Sequence, residues 1–238
     1  MDSAGTGSPP RLYAWLVHAF TASGAVLAFL ALAAIEARDW RLALIWLAVA
    51  LAVDGLDGTL ARWAHVKTAL PRIDGAALDL VVDYLNYVLV PAMFIWRAQL
   101  VPEPLALLLC ALILVSALYN FARADMKTDD HYFRGFPALW NLVAFYLYVA
   151  QIGPAAGAVI VFLLAAMTVA PVHVVHPFRV RDHGAWLPLL ALAWAAASGA
   201  LLWPDWSEAA RSGLLAVSLA AAAVLVALGL LRTLRGSR

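Results

Sequence analysis

Four aspartates, Asp54, Asp57, Asp79 and Asp83, stand inside or beside two long apolar runs of the chain. A bare charge at mid-bilayer costs about 2.5–3.5 kcal/mol on insertion scales, so four need a cation or a water-filled cavity. Their spacing shows how they can share one. Asp54 and Asp57 are i,i+3 and Asp79 and Asp83 are i,i+4, so each pair lies on one helical face. Two antiparallel neighbours facing each other would bring all four together. Hard oxygen ligands in that number suit Mg2+ or Mn2+, and two ions are expected. Gly58 and Ala61 are small and lie on the stripe of Asp54 and Asp57, which leaves room for a ligand against the backbone. Arg62 adds a fork of donors suited to phosphate. A metal-bound diphosphate fits such a site. The competing reading, in which the acids merely pair with Arg62, Lys67 and Arg72, sets too many deep acids against too few bases.

The elements that must hold these residues are membrane helices. Of 238 residues, 65% are apolar and 13% charged, with a net charge of +1. Soluble domains sit near about 45–50% apolar, so an ordinary soluble globule is excluded, and so is a nucleic-acid-binding chain. The lone Cys110 lies in an apolar run and cannot form an intrachain disulfide. Eight runs approach the roughly 20 apolar residues of a spanning helix, at 13–35, 40–62, 77–100, 104–124, 136–152, 155–176, 185–203 and 209–231. The expected fold is all-α, a polytopic helix bundle forming a single domain over 1–238. With the N-terminus inside, twelve Lys and Arg fall on the cytoplasmic side against four outside, namely Arg38, Arg41, Arg97 and Arg211. That bias places both termini and the segments 63–75, 125–135 and 177–184 in the cytoplasm.

The segment Asp54-Gly55-Leu56-Asp57-Gly58-Thr59-Leu60-Ala61-Arg62, followed after twelve residues by Gly75, Asp79 and Asp83, resembles the CDP-alcohol phosphotransferase family. Every fixed position of that family's D-x2-D-G-x2-A-R and G-x3-D-x3-D pattern is matched. The resemblance implies transfer of a phosphatidyl or substituted phosphoryl group from a CDP-linked donor to an alcohol, releasing CMP. It also implies that the four aspartates hold two divalent ions and that Asp83 is the general base. Gly58, Ala61 and Gly75 would allow close approach of the cytidine nucleotide, and the protein would be a homodimer. Most of the family has an eight-residue spacer between Arg and Gly, where this chain has twelve, Trp63 to Asp74. The longer spacer, Gly55 and the two additional spans (about 185–231) look like the family's bacterial phosphatidylcholine synthase branch. So do Lys127-Thr128-Asp129-Asp130-His131-Tyr132-Phe133-Arg134-Gly135-Phe136-Pro137 and Pro171-Val172-His173-Val174-Val175-His176-Pro177. That branch joins choline to CDP-diacylglycerol, which implies an enzyme of the bacterial inner membrane with its site facing the cytoplasm.

A choline acceptor carries a quaternary ammonium that cannot donate a hydrogen bond and is held by aromatic faces. Tyr84, Tyr87, Tyr119 and Trp140, with Asn141, are the candidates near cytoplasmic depth, although packing or an interfacial belt would also explain each of them. The 123–137 segment is either a self-paired cytoplasmic loop or a lid over the diphosphate. His173 and His176 are expected to hydrogen-bond to lipid phosphate or to neighbouring helices, and Arg232, Arg235 and Arg238 to mark topology and touch anionic headgroups. Two rivals remain. A serine acceptor would make phosphatidylserine and needs a partner for its carboxylate. A divalent-cation transporter would place its acids nearer mid-membrane, between repeats that this chain lacks.

Overall fold

The computed structural model describes residues 11–236, which fall into two units, Met1–Val90 and Pro91–Arg238. The protein is a polytopic membrane helix bundle. Five helices among the described residues are long and apolar enough to cross a bilayer: Arg11–Glu36, Trp40–Trp63, Gly75–Arg97, Glu103–Ala122 and Glu208–Arg235. Three shorter apolar helices, Trp140–Val149, Pro154–Met167 and Trp186–Ala200, overlap the other expected runs. Arg238 and the first ten residues lie outside the described residues.

In the first unit, α1 (Arg11–Glu36) turns back through three residues into α2 (Trp40–Trp63). Asp39 caps α2 by accepting from Leu42 N at 3.0 Å, which satisfies a donor that the helix start would otherwise strand. Small buried residues, Ala14, Gly24, Ala28 and Ala31 on α1 with Ala43 and Ala50 on α2, suit close helix packing where water supplies no driving force between helices. A short helix α3 (Val66–Ala69) fills the connection to α4 (Gly75–Tyr84). Asp74 caps α4 by accepting from Ala76 N and Ala77 N. A π-helical turn, Leu85–Leu89, follows, and such turns shift helical register. At Gly24 a side chain of α4 packs against the backbone of α1. A Cβ there would lie 2.4 Å from Val82 Cγ1.

The second unit holds α5 (Val90–Arg97, from Pro91 onward), α6 (Glu103–Ala122), α7 (Trp140–Val149), α8 (Pro154–Met167), α9 (Trp186–Ala200) and α10 (Glu208–Arg235). A polar chain joins α7, α9 and α10: Trp194 Nε1 donates to Tyr146 Oη at 2.7 Å, which meets Ser218 Oγ at 2.7 Å, which meets Ser198 Oγ at 2.8 Å. Such bonds help hold apolar helices together in lipid.

The fifth and sixth runs differ from their expected bounds. Helix α7 begins only at Trp140, because Gly135 (φ +80°), Pro137 and Ala138 (φ +55°) hold the chain non-helical before it. Helix α8 ends at Met167, and His173–Val174 forms a strand, β2, paired antiparallel with β1, Phe133–Arg134. The 123–137 segment is therefore built into a small sheet and is also self-paired. Asp125 takes Arg123 at 2.9 Å and Arg134 at 3.2 Å, and the Arg123 hydrogen bond holds its carboxyl down at about 2.

Helix α10 clasps this sheet. Gly229 packs on β2, where a Cβ would stand 2.3 Å from His173 O. Thr233 Oγ1 accepts from His173 N at 2.7 Å. Arg232, expected at lipid headgroups, instead donates to Asp130 at 2.8 Å and lies over the Tyr132 ring. His173 thus bonds a helix neighbour, as one of its two expected roles had it.

Candidate active site

The acid pairs meet. Asp54, Asp57 and Asp79 each offer one carboxylate oxygen, and these oxygens all lie within 4.8 Å of one another. Asp54 and Asp57 come from the second half of α2, Asp79 and Asp83 from α4, and all four line one cleft of the first unit. Asp83 lies within hydrogen-bonding reach of Asp54. The cleft lining contains neither Lys nor Arg. Carboxylates gathered this closely repel one another, and a hard divalent cation with oxygen ligands fits the donor set.

Neighbouring side chains fix the carboxylates. The Tyr87 hydroxyl donates to Asp54 Oδ2 at 2.6 Å, and Thr21 of α1 lies within hydrogen-bonding reach of Asp57. Tyr87 is buried and sits in the π turn. Its polar end is thus directed at a candidate metal ligand, a contact that its expected place in an ammonium cage did not include. Tyr84 is half-buried beside Asp83.

The remaining candidates of α2 and α4 occupy the ends of those helices. Arg62 folds back along α2, donating to Thr59 Oγ1 at 3.0 Å, and a Cβ at Gly58 would stand 3.5 Å from its Nη1. Arg62 is exposed at the helix end. Ala61 packs beside the buried group Ala14, Val17, Ala64 and Val66. Gly75 opens α4 against His18, whose Cε1 would lie 3.1 Å from an added Cβ.

Tyr119, Trp140 and Asn141 belong to the second unit. Tyr119 is half exposed with the Arg123 guanidinium 5.6 Å from its ring centre. Trp140 is fully buried, edge-on to Phe136 at 5.0 Å. Asn141 is buried, and its Oδ1 accepts from Leu142 N. The structure thus gathers the four aspartates and Tyr87, while these three residues sit in surroundings of their own. Sequence reasoning missed Thr21 and Asn86, which also line the cleft. Asn86 carried a signal: it is a carboxamide in an apolar run, three residues beyond Asp83.

A protein named phosphatidylcholine synthase from Pseudomonas aeruginosa is 49% identical over 192 residues, covering 79% of each chain. One of the same name from Mesorhizobium japonicum is 38% identical over 187 residues, 79% of this chain and 70% of the other. Another from Rhizobium meliloti is 40% identical over 171 residues, 72% of this chain and 71% of the other. The family model for CDP-alcohol phosphatidyltransferase matches residues 15–171. That match covers more than half of the sequence and includes all four cleft aspartates, and this chain belongs to the CDP-alcohol phosphatidyltransferase family, a family of metal-dependent transferases.

Proposed function

We propose that this chain transfers the phosphatidyl group of CDP-diacylglycerol to choline and releases CMP. The observation that carries the reading is the meeting of Asp54, Asp57 and Asp79, one oxygen from each within 4.8 Å of the others, in a chain of this family. The choline acceptor is supported by relatives named phosphatidylcholine synthase. Asp54, Asp57, Asp79 and Asp83 would hold two divalent ions, Mn2+ or Mg2+, which supply charge neutralisation to the diphosphate and the leaving CMP.

The chain's own residues do the rest. Arg62 binds a phosphate oxygen with its fork of donors. Gly58, Ala61 and Gly75 leave the backbone open to the cytidine nucleotide. Asp54 keeps its orientation through the Tyr87 hydroxyl. Asp83 takes the hydroxyl proton as the choline oxygen bonds to the phosphorus that carries diacylglycerol, and the bond from that phosphorus to the CMP oxygen breaks. Tyr84, beside Asp83, offers a ring face to the ammonium.

The reading extends to topology and assembly. The eight apolar runs would each span the membrane, the twelve-to-four bias of basic residues puts both termini and the cleft on the cytoplasmic side, and the resemblance implies a bacterial inner membrane. The donor's acyl chains then enter sideways from the inner leaflet. The protein works as a homodimer, each copy a single domain over 1–238, and the family match running across Val90 supports that unity.

The test is the lipid made by the purified full-length protein given CDP-diacylglycerol, Mn2+ and a panel of alcohols. Phosphatidylcholine and CMP are expected with choline. Phosphatidylserine from serine, with no product from choline, would overturn the reading.

A further inference from the structure

The cleft contains one polar atom to which the chemistry above gives no task. Asn86 is 4% exposed and lines the cleft with the four aspartates. Its amide nitrogen donates to Gly24 O at 2.9 Å and to Val82 O at 3.1 Å. Both partners are acceptors, so they fix which end of the amide is nitrogen. Oδ1 is left buried and without a hydrogen-bond partner among the described residues. Folded proteins satisfy the large majority of such atoms, and one held rigidly in a substrate cleft is explained by a ligand that meets it there.

Position selects the ligand. Asn86 is three residues past Asp83 and seven past Asp79. Along the helix it therefore stands about one turn from Asp83 and about two turns from Asp79. Of the two acids on its own helix, Asp83 is thus the nearer along the chain, and that acid is the base. Phosphate oxygens are acceptors and gain nothing from a carbonyl oxygen. The acceptor hydroxyl has a single proton, and that proton goes to Asp83. What is left of the acceptor at the reacting centre is its cationic head, two carbons from the hydroxyl and thus within one helical turn of about 5.4 Å.

We propose that Asn86 is a specificity residue of the acceptor site, its fixed Oδ1 dipole facing the ammonium head of the alcohol whose hydroxyl lies at Asp83. This rests on the choline reading above. A quaternary ammonium needs no hydrogen-bond acceptor, only negative potential at contact distance. A locked carbonyl supplies that without adding a fifth acid to a site that already holds four.

The test compares choline with its uncharged carbon isostere, 3,3-dimethyl-1-butanol, in full-length wild type, Asn86→Leu and Asn86→Asp. Neither Leu nor an ionised carboxylate can donate to Gly24 O or Val82 O, so both lose the same structural bonds and differ in the oxygen. In Asn86→Leu the preference for choline over the isostere, as a ratio of kcat/KM, should fall roughly tenfold through the KM for choline. Affinities for CDP-diacylglycerol and for Mn2+ should stay near wild type. Asn86→Asp should retain the preference. Equal losses with both alcohols, the same loss of preference in both variants, or a preference that Asn86→Leu keeps would each overturn the inference. A fall in Mn2+ affinity accompanying Asn86→Leu would make Asn86 a metal ligand and overturn it too. A wild type that makes no phosphatidylcholine overturns the function itself and this inference with it, which separates the two failures.

Discussion

The Tyr87 hydroxyl donates to Asp54 Oδ2 at 2.6 Å, tying the π turn after the second acid pair to the first acid pair. The bond connects residues 33 apart in sequence and removes rotational freedom from a carboxylate that belongs to the candidate metal group. Loss of partners that orient metal ligands typically costs about 10–100-fold in metal affinity or activity. Tyr87→Phe should therefore raise the Mn2+ concentration needed for half-maximal activity by about tenfold, with activity recovering at saturating metal. A Mn2+ titration of the variant checks this, and an unchanged midpoint would sink the positioning role.

The aspartates were legible in the sequence because charge in an apolar run is costly and stands out, and because i,i+3 and i,i+4 spacing puts both members of a pair on one face. The task of Tyr87 was not legible. Four residues past Asp83, it shares that residue's face by helical arithmetic, and no pattern signals that a π turn, Leu85–Leu89, will carry its hydroxyl to Asp54 on another helix. The strand pairing Phe133–Val174 and Arg134–His173 was hidden for a different reason. Two-residue strands are too short to show alternation, and Phe136 to Leu139 read as a continuation of the apolar run. Only Gly135 and Pro137 hinted that the helix starts late.

The grip of α10 on that small sheet should depend on a missing side chain. At Gly229 a Cβ would stand 2.3 Å from His173 O and 3.1 Å from Val174 Cα, backbone atoms that cannot rotate aside. At Gly213 of the same helix nothing lies within 4 Å of an added Cβ. Gly229→Ala should lower the thermal midpoint by several degrees and expose 171–177 to proteolysis. Gly213→Ala should be neutral or stabilising, since Ala is the better helix former by about 1 kcal/mol. Thermal melts of the two variants side by side decide it, and equal effects would mean that the Gly229 contact does not constrain α10.

His176 should give the same region a pH dependence. It lies in the connection between α8 and α9, stacked on Phe133 at 5.6 Å with ring planes 10° apart. Burial, then Arg179 and Lys127, push its imidazole down to about 4, against about 6.5 in an unfolded chain. Between those values the unfolded chain binds the proton and the folded one does not. The stabilisation is therefore fully present above about pH 6.5 and is lost as pH falls toward 4. His176→Gln should flatten that part of the thermal midpoint against pH. A curve that keeps the wild-type slope would assign the dependence to other groups.

The last prediction separates the base from the metal ligands. Asp54, Asp57 and Asp79 bring one oxygen each to within 4.8 Å of the others, whereas Asp83 adjoins this group through Asp54. Replacing any of the three by Asn removes a charged hard ligand and should abolish both turnover and metal-dependent binding of the CDP-lipid. Asp83→Asn removes proton acceptance, and the loss of a general base typically costs about 10²–10⁴ in rate. Donor affinity should fall far less, because three carboxylates remain to hold the metal that would bind the diphosphate and Arg62 remains to pair with it. Donor affinity and single-turnover rate at fixed Mn2+ are the two measurements, taken on Asp54→Asn and Asp83→Asn together. If Asp83→Asn loses donor binding as completely as Asp54→Asn, Asp83 acts chiefly as a ligand, and the proton must leave the acceptor hydroxyl by another group.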